Sequence, residues 1–312
     1  VWMCYLGRSD GTRDFIPLPE SIELAGDRYY FHPEIGPPAV ERLWEPSPGV
    51  VEGWLRDGTE VMQPDQLLRA LVESLAMFIE LPEEPTDGFL KVLALWSVMT
   101  YSADQWSVVP FLAINGPKGS GKSRIFHTLN QLVYRAHAVV NPSAASLFRH
   151  LHARGGTVLI DESENLEDAD PSNALMPTLL SSNTKGACVA RCDGEDNTPT
   201  TFQTFGPKAL FSIAEPIDTL LDRAIHIRMF RAPPGNAKTA LHPSDERHRQ
   251  MWQRLRDALF TFSMQRAGEL SQLRDISQVC PDDMFPRSRE TWGPILQLAD
   301  LFDRLGVAGL LE

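Results

Sequence analysis

The sequence is poor in positive charge and has no long apolar run. Its 312 residues include 29 Lys and Arg against 41 Asp and Glu, a formal net charge of −12. Affinity for the phosphate backbone of nucleic acids comes mostly from Lys and Arg, so this balance argues against non-specific coating of DNA or RNA. It leaves room for a small basic pore inside an acidic ring. No apolar run reaches the roughly 18 residues of a membrane-spanning helix, and we expect no membrane association.

Cysteine is also scarce, with Cys4, Cys188, Cys192 and Cys280 in the whole chain. Cys188 and Cys192 form a short C-x3-C, but no second Cys/His pair follows at zinc spacing, which argues against a zinc site. We interpret the cysteines as free thiols in a reducing compartment and expect a cytoplasmic protein. The chain begins at Val1 without a basic leader segment, and we expect it to be part of a longer protein.

Hydrophobic residues make up 43% of the chain, enough for one large core with or without a smaller appended domain. Residues 1–60 are rich in Pro, Gly and short polar–apolar alternations, which predicts strands and turns of an N-terminal arm or the remnant of a preceding domain. Residues 61–107 predict a helical segment, with apolar side chains at helical spacing over 66–81 and 89–101.

Residues 108–232 change to short apolar runs alternating with helical stretches. Runs typical of strands lie at 111–114, 157–160, 209–213 and 225–229. Strands that alternate with helices predict an α/β core of three layers, with a mostly parallel sheet covered on both faces. Residues 233–312 predict helices again, near 245–273 and 289–305.

A phosphate-binding loop is predicted at Gly116–Ser123, whose sequence GPKGSGKS fits G-x-x-x-x-G-K-[ST] at every fixed position. The loop follows a predicted strand and opens a predicted helix, so backbone N–H groups and the helix N-terminus would surround a phosphate. We expect Lys122 to reach the β- and γ-phosphates, as a catalytic group, and the Ser123 hydroxyl to bind Mg²⁺. The residues predicted to bind ATP are Gly116, Pro117, Lys118, Gly119, Ser120, Gly121, Lys122 and Ser123.

The strand-like run Thr157–Ile160 ends in Asp161 and Glu162, about 40 residues after the loop. We expect Asp161 to orient metal-bound water, as a Mg²⁺ ligand, and Glu162 to act as the general base on the attacking water. This pair of acids favours hydrolysis over kinase-type phosphoryl transfer.

Arg223 ends a short predicted helix just before the last predicted strand. In ring-forming ATPases an arginine at this point reaches the neighbour's nucleotide and stabilises charge on the transferring phosphoryl group. We expect Arg223 to be such a catalytic finger. An ion pair with Asp222 or another surface acid is the alternative.

With these three pieces in this order, residues from roughly 87 to 305 resemble the AAA+ superfamily. More narrowly, they look like the ATPase domain of mobile-element and phage replication proteins, often found beside primase–polymerase domains. The segments that carry the resemblance are Phe111–Ser123, Ser146–Arg149, Thr157–Glu162, Gly206–Leu210, Asp218–Met229 and Pro286–Leu296.

The resemblance implies a P-loop AAA+ core at 108–232, an N-terminal helical and extended segment and a C-terminal helical lid at 233–312. It implies ATP and Mg²⁺ as cofactors and a homo-oligomeric ring, for which a hexamer is one arrangement. Single-stranded DNA and a primase-like domain are the partners it suggests.

The resemblance also implies a second sensor arginine against the γ-phosphate at the start of the lid helix. Arg287 is the first candidate and Arg289 the second, with two plain surface arginines as the alternative. A polar sensor at the end of the fourth core strand would be Ser212 or Glu215, and the sequence leaves that choice open.

Residues 186–191 and 200–205 predict a hairpin around an acidic turn at Asp193–Thr198. A hairpin before the fourth core strand resembles the pore hairpin of AAA+ replicative helicases, although an acidic turn has the wrong sign for gripping phosphate. If DNA passes nearby, we expect it to contact Lys185, Arg191 and Lys208. A purely structural hairpin is the alternative.

The leading hypothesis is a Mg²⁺-dependent, ring-forming AAA+ ATPase that acts as a helicase or translocase on single-stranded DNA in mobile-element or phage replication. The alternative is an ATP-dependent switch in a regulatory or defence protein without unwinding activity, which the acidic charge favours. A small-molecule or nucleotide kinase fits less well, because Asp161 and Glu162 supply a water-activating base.

Overall fold

A computed structural model describes residues 3–7, 13–17, 21–24, 27–30, 46–58, 60–81, 86–163, 175–193, 198–232, 238, 241–307 and 310. Its helices are α1 (Pro48–Asp57), α2 (Pro64–Phe78), α3 (Thr86–Thr100), α4 (Lys122–Leu132), α5 (Ala144–Arg154), α6 (Leu175–Ser181), α7 (Asp218–Leu221), α8 (Arg249–Gln265), α9 (Ala267–Leu270), α10 (Ile276–Val279) and α11 (Pro286–Arg304). Its strands are β1 (Met3–Gly7), β2 (Arg13–Pro17), β3 (Ser21–Leu24), β4 (Asp27–Tyr30), β5 (Phe111–Asn115), β6 (Ala136–Val140), β7 (Thr157–Asp161), β8 (Cys188–Asp193), β9 (Thr198–Gln203), β10 (Lys208–Ser212) and β11 (Ala224–Arg228).

The central sheet has five strands in the order β11-β5-β10-β7-β6, and every neighbouring pair is parallel. The predicted parallel α/β core is therefore confirmed. Because all five strands point the same way, they end at one edge of the sheet and begin at the other. We call these the carboxyl edge and the amino edge.

Helices cover both faces of this sheet, and alternate residues of β5, β7 and β10 enter two separate cores. Leu112 and Ile114 of β5 pack with α2, α3, α4, α8 and α11. Phe111 and Ala113 of the same strand pack with α5, α6 and α7 on the other side. All four side chains are fully buried. A strand buried on both faces explains why this run is apolar at every position rather than at alternate ones.

The N-terminal residues are partly helical, which differs from the prediction of strands and turns over 1–60. β1 pairs with β2 and β3 with β4, both antiparallel, as expected. Residues 48–57, however, form α1, with Pro48 in its first turn and Gly58 in the left-handed conformation after its end. Ser47 ties the start of α1 to α8, since its backbone N–H and hydroxyl both donate to Asp257, at 2.8 and 2.7 Å.

The helices before and after the sheet share one core, so the predicted segments 61–107 and 233–312 pack together. The helix predicted over 245–273 is interrupted: α8 ends at Gln265 and α9 begins at Ala267. Arg266 lies at the break and donates to the buried Glu60 at 2.8 Å, joining the two segments.

In the part of the chain that the structure describes, no helix combines the length and apolar character needed to cross a membrane. Cys188 and Cys192 are exposed on β8, Cys280 is buried, and all three are free thiols. The same described residues contain no cluster of three or more His, Cys, Asp or Glu side chains arranged to hold a metal ion.

Candidate nucleotide site

The phosphate loop Gly116–Ser123 leaves the carboxyl edge after β5 and opens α4. Gly121, immediately before the helix, has a φ of 94°, and Gly119 has a φ of 80°. Side chains with a Cβ rarely adopt this conformation, so glycine is required at these turns. The loop thereby exposes backbone N–H groups at the positive end of the helix.

Gly116 is needed for a different reason, because the chain after β11 passes directly against it. A Cβ on Gly116 would lie 2.4 Å from the carbonyl oxygen of Met229. The Met229 N–H in turn donates to the Asn115 carbonyl at 2.7 Å. The base of the loop is therefore held between its own strand and the segment that follows β11.

The polar side chains of the loop suit a triphosphate. The Lys122 ammonium donates to the carbonyl oxygens of Gly116 at 2.5 Å and Pro117 at 3.2 Å, so it already lies over the loop. The Ser120 hydroxyl is buried and has no hydrogen-bond partner among the described residues. A buried donor without a partner costs free energy that a phosphate oxygen would recover. Ser123, in the first turn of α4, is exposed.

Asp161 and Glu162 lie at the same carboxyl edge, at the end of β7. The Asp161 carboxylate accepts the Glu162 backbone N–H at 3.0 Å, and Glu162 is exposed with a φ of 55°. The left-handed conformation costs a glutamate on the order of 1 kcal/mol. Ser163 holds this turn, because its buried hydroxyl donates to the Phe211 carbonyl at 3.0 Å.

Two further polar residues meet beside the loop and were not singled out in the sequence. Asn115 is buried at the end of β5, and its side-chain oxygen lies 2.8 Å from His226 Nε2. Burial first, and Arg228 second, lower the pKa of His226, which favours the neutral ring. The signal that could have revealed Asn115 is a lone polar residue at the end of an apolar strand, directly before the glycine loop.

Ser212 and Glu215, the two candidates for the polar sensor at the end of the fourth core strand, differ in their contacts. Ser212 is paired in register with Asn115, its carbonyl accepts the Gly116 N–H at 3.3 Å, and it is 4% exposed. Glu215 forms an exposed ion pair with Arg228 instead. Ser212 therefore contacts the loop through its backbone carbonyl, while its hydroxyl donates to the Ala214 carbonyl at 2.7 Å.

His127 lies one helical turn after Ser123, and the sequence places no carboxylate at a fixed spacing from it. Burial and the neighbouring His242 lower the pKa of His127, while Asp161 acts in the opposite direction. The His127 and His242 rings are 4.9 Å apart. Asp161 comes near His127 because α4 packs against β7.

Arg223 lies at the amino edge, on the far side of the sheet from its own phosphate loop. Six residue steps along β11 separate Arg223 from Met229, or about 20 Å. Arg223 donates to the Thr219 carbonyl at 2.5 Å, and no carboxylate of the described residues lies within ion-pair distance. The alternative of an ion pair with Asp222 is not what the structure has.

Arg287 lies near the same amino edge. Thr291, one turn further along α11, donates to the carbonyls of Asp222 at 3.0 Å and Arg287 at 3.2 Å. Arg287 pairs with Glu290 at 2.6 Å. It therefore lies away from the phosphate loop of its own chain. Arg289 is used locally, donating to the carbonyls of Pro281, Asp282 and Met284.

The predicted hairpin is confirmed: β8 and β9 pair antiparallel from Cys188↔Gln203 to Asp193↔Thr198. The acidic tip at 194–197 lies outside the described residues. Phe202 of β9 is buried against Phe148 of α5, with ring centroids 4.7 Å apart, so the hairpin packs on the sheet's helical layer.

The expectation that Lys208 contacts DNA is wrong, because its side chain is fully buried at the base of the hairpin. Its ammonium donates to the carbonyls of Ser182, Thr204 and Gly206 at 3.5, 3.1 and 2.9 Å. Burial lowers its pKa to about 7. Lys185 and Arg191 are exposed, as DNA contacts would need to be.

No protein-family model matches this chain, and no curated protein matches it either. Among solved structures, the chain is similar to the apo A form of the NrS-1 C terminal region at 13% identity and a TM-score of 0.42, covering 88% of this chain and 54% of that one. SCCmec type IV Cch, described as an active helicase, gives 13% identity, a TM-score of 0.39 and coverage of 82% and 46%. JCV helicase is similar at 15% identity and a TM-score of 0.34, covering 75% of this chain and 60% of that one.

The chain thus spans about half the length of the NrS-1 region it resembles. Similarity at this level does not transfer an activity, a substrate or a site residue.

Proposed function

We propose that this chain is a Mg²⁺-dependent ATPase whose nucleotide site is formed by the phosphate loop and by Asp161 and Glu162. The observation that carries the proposal is the meeting of these two elements at one edge of a parallel sheet. Open α/β sheets bind ligands in the crevice outside the carboxyl ends of their strands.

Each side chain has a task that its position allows. The loop N–H groups and the Ser120 hydroxyl bind phosphate oxygens, and Lys122 exchanges its loop carbonyls for the β- and γ-phosphates. Ser123 and Asp161 are the residues that would hold Mg²⁺, which would neutralise charge on the phosphates. Glu162 accepts a proton from the attacking water.

The site is completed by a second copy of the chain. Arg223 and Arg287 both lie at the amino edge, so neither serves the nucleotide of its own subunit. In a homo-oligomeric ring, the amino edge of one subunit faces the carboxyl edge of the next. Arg223 then stabilises charge on the neighbour's γ-phosphate, and Arg287 reaches the same nucleotide.

The ring acts as a helicase or translocase on single-stranded DNA in mobile-element or phage replication. Support comes from the AAA+ resemblance and from two exposed basic residues, Arg191 on β8 and Lys185 just before it. The second candidate is an ATP-driven switch without unwinding. It is favoured by the net charge of −12 and by the burial of Lys208, which removes one of three expected DNA contacts.

The test is steady-state ATP hydrolysis with and without single-stranded DNA, for the wild type, Lys122→Ala and Glu162→Gln. Both substitutions are expected to abolish hydrolysis, and DNA is expected to raise the wild-type rate several-fold. Hydrolysis that DNA leaves unchanged would support the switch. Hydrolysis that survives Lys122→Ala would refute the nucleotide site.

A further inference from the structure

A large aromatic side chain lies in solvent beside the phosphate loop. Phe230 is 58% exposed, in the segment that continues β11 past the carboxyl edge. Burying a phenylalanine is ordinarily favourable by about 1.5–3 kcal/mol, so an exposed ring at a polar loop requires an explanation.

The segment around Phe230 is fixed to the loop on both sides. Met229 is 1% exposed, and its Cε would lie 3.6 Å from a Cβ on Gly121. Arg231 donates from Nε to the Lys118 carbonyl at 2.9 Å. Because Met229 points into the core, the next side chain in an extended segment points outward, beside the loop. Phe230 is thus held in position without being buried.

The order of the strands decides which end of a nucleotide lies near Phe230. Asp161 and Glu162 follow β7, on one side of β5, while Phe230 follows β11 on the other. The γ-phosphate must point toward Glu162, because that residue activates the attacking water. The triphosphate therefore runs across the loop with its nucleoside end on the β11 side.

We propose that Phe230 stacks on the base of the bound nucleoside triphosphate, an inference that rests on the proposed nucleotide site. An aromatic ring stacks on any base, because every base has a π-face. The larger ring systems of purines offer more area than those of pyrimidines. Phe230 therefore favours purine nucleotides and supplies affinity that the phosphates alone do not.

The test compares the dissociation constants of ADP and pyrophosphate, neither of which the site hydrolyses. Calorimetry would be run on the wild type, Phe230→Ala and Phe230→Tyr. Phe230→Ala is expected to weaken ADP binding by about five- to a hundredfold while pyrophosphate binding stays unchanged. Phe230→Tyr is expected to keep ADP binding, because the ring is retained.

Ile213→Ala is the matched control. Ile213 is 55% exposed directly after β10, on the other side of β5 from Phe230. Its loss should leave ADP binding intact. Equal ADP affinity in the wild type and Phe230→Ala would overturn the inference, as would a loss of ADP binding in Ile213→Ala alone or an equal loss of pyrophosphate. A wild type that binds neither ligand would refute the nucleotide site itself.

Discussion

The two edges of the central sheet hold similar side chains in opposite situations. At the carboxyl edge, Lys122 donates to two carbonyls of an exposed glycine loop. At the amino edge, Lys208 donates to three carbonyls in complete burial. The first lysine can exchange its partners for a ligand, whereas the second can only hold the chain in place. Residue type and hydrogen-bond pattern therefore do not distinguish a binding group from a structural one, but access to solvent does.

The same contrast applies to the arginines of β11. Arg228 ends the strand at the carboxyl edge, and Arg223 precedes it at the amino edge. If the amino edge serves a neighbouring subunit, replacing Arg223 should impair the neighbour's site, whereas replacing Arg228 should impair the site of its own subunit.

Arg223→Ala should lower hydrolysis about a thousandfold, the effect of losing an arginine finger. Mixing it with Lys122→Ala should restore activity, because an intact loop then meets an intact finger at about a quarter of interfaces in a random ring. Measured rates of the mixture against each variant alone check this. Arg228→Ala is the control, since any defect it has arises in its own subunit and should not be rescued. A mixture no more active than its parts would contradict a site shared between subunits.

Two substitutions of Glu162 separate the role of its carboxylate in hydrolysis from the cost of its positive φ to stability. Glu162→Gln should reduce hydrolysis by about a hundredfold or more while ADP still binds. Glu162→Gly should lose hydrolysis equally but gain about 1 kcal/mol of stability, because glycine adopts a positive φ without strain. Denaturant unfolding of the two variants measures the difference. Equal stability would show that the turn after β7 stores no strain.

Lys208 tests the amino edge as a structural region. Lys208→Met should destabilise the fold by about 1–3 kcal/mol, because three buried carbonyls lose their donor. The pKa of Lys208 is about 7 in the folded state, against an ordinary value of 10.5. Between these values the unfolded chain binds the extra proton, so wild-type stability should rise with pH relative to the variant.

Urea unfolding at pH 7 and pH 9 measures the difference in unfolding free energy between the wild type and each variant. Lys185→Met is the exposed control. The difference in unfolding free energy between the wild type and Lys208→Met should be larger at pH 9 than at pH 7. The difference for Lys185→Met should not change. A difference that does not change with pH for Lys208→Met would mean that burial does not lower the pKa of Lys208.

The smallest effects are expected from two exposed basic residues, Arg191 on the hairpin and Lys185 just before it. Lys185→Ala and Arg191→Ala should each weaken single-stranded DNA binding a few-fold and reduce the salt dependence of affinity by about one counterion. Binding titrations at several salt concentrations measure both. Arg69→Ala, an exposed arginine on α2 paired with Asp65 at 3.3 Å, should change neither. Equal losses of DNA affinity in all three variants would indicate that the net charge of the protein, rather than a local contact, determines binding.

Much of the site's local structure follows from neighbours in sequence. The strand at 111–115, the glycine loop and the helix that opens at Lys122 are specified by residues adjacent to one another. The same is true of Thr157–Asp161, where four buried residues precede the acids. Such elements could be predicted because apolar runs, glycines and polar ends act within a few residues.

The features that were predicted wrongly, or not predicted, depend on contacts between residues that are distant in sequence. Lys208 is like any other lysine until the base of the hairpin closes over it, and α1 is tied to Asp257 some 210 residues away. Asn115 and His226 meet across neighbouring strands, and Phe230 lies beside the loop only because β11 pairs with β5.

The sequence alone determined the phosphate loop, the pair of acids and the alternation that makes a parallel sheet, since these are properties of short segments. The tertiary structure decided which edge of the sheet each charged side chain occupies, and therefore which of them lie beside the glycine loop of the same chain. The physical reason is that backbone propensity is local, whereas burial and strand order arise only when distant segments pack together.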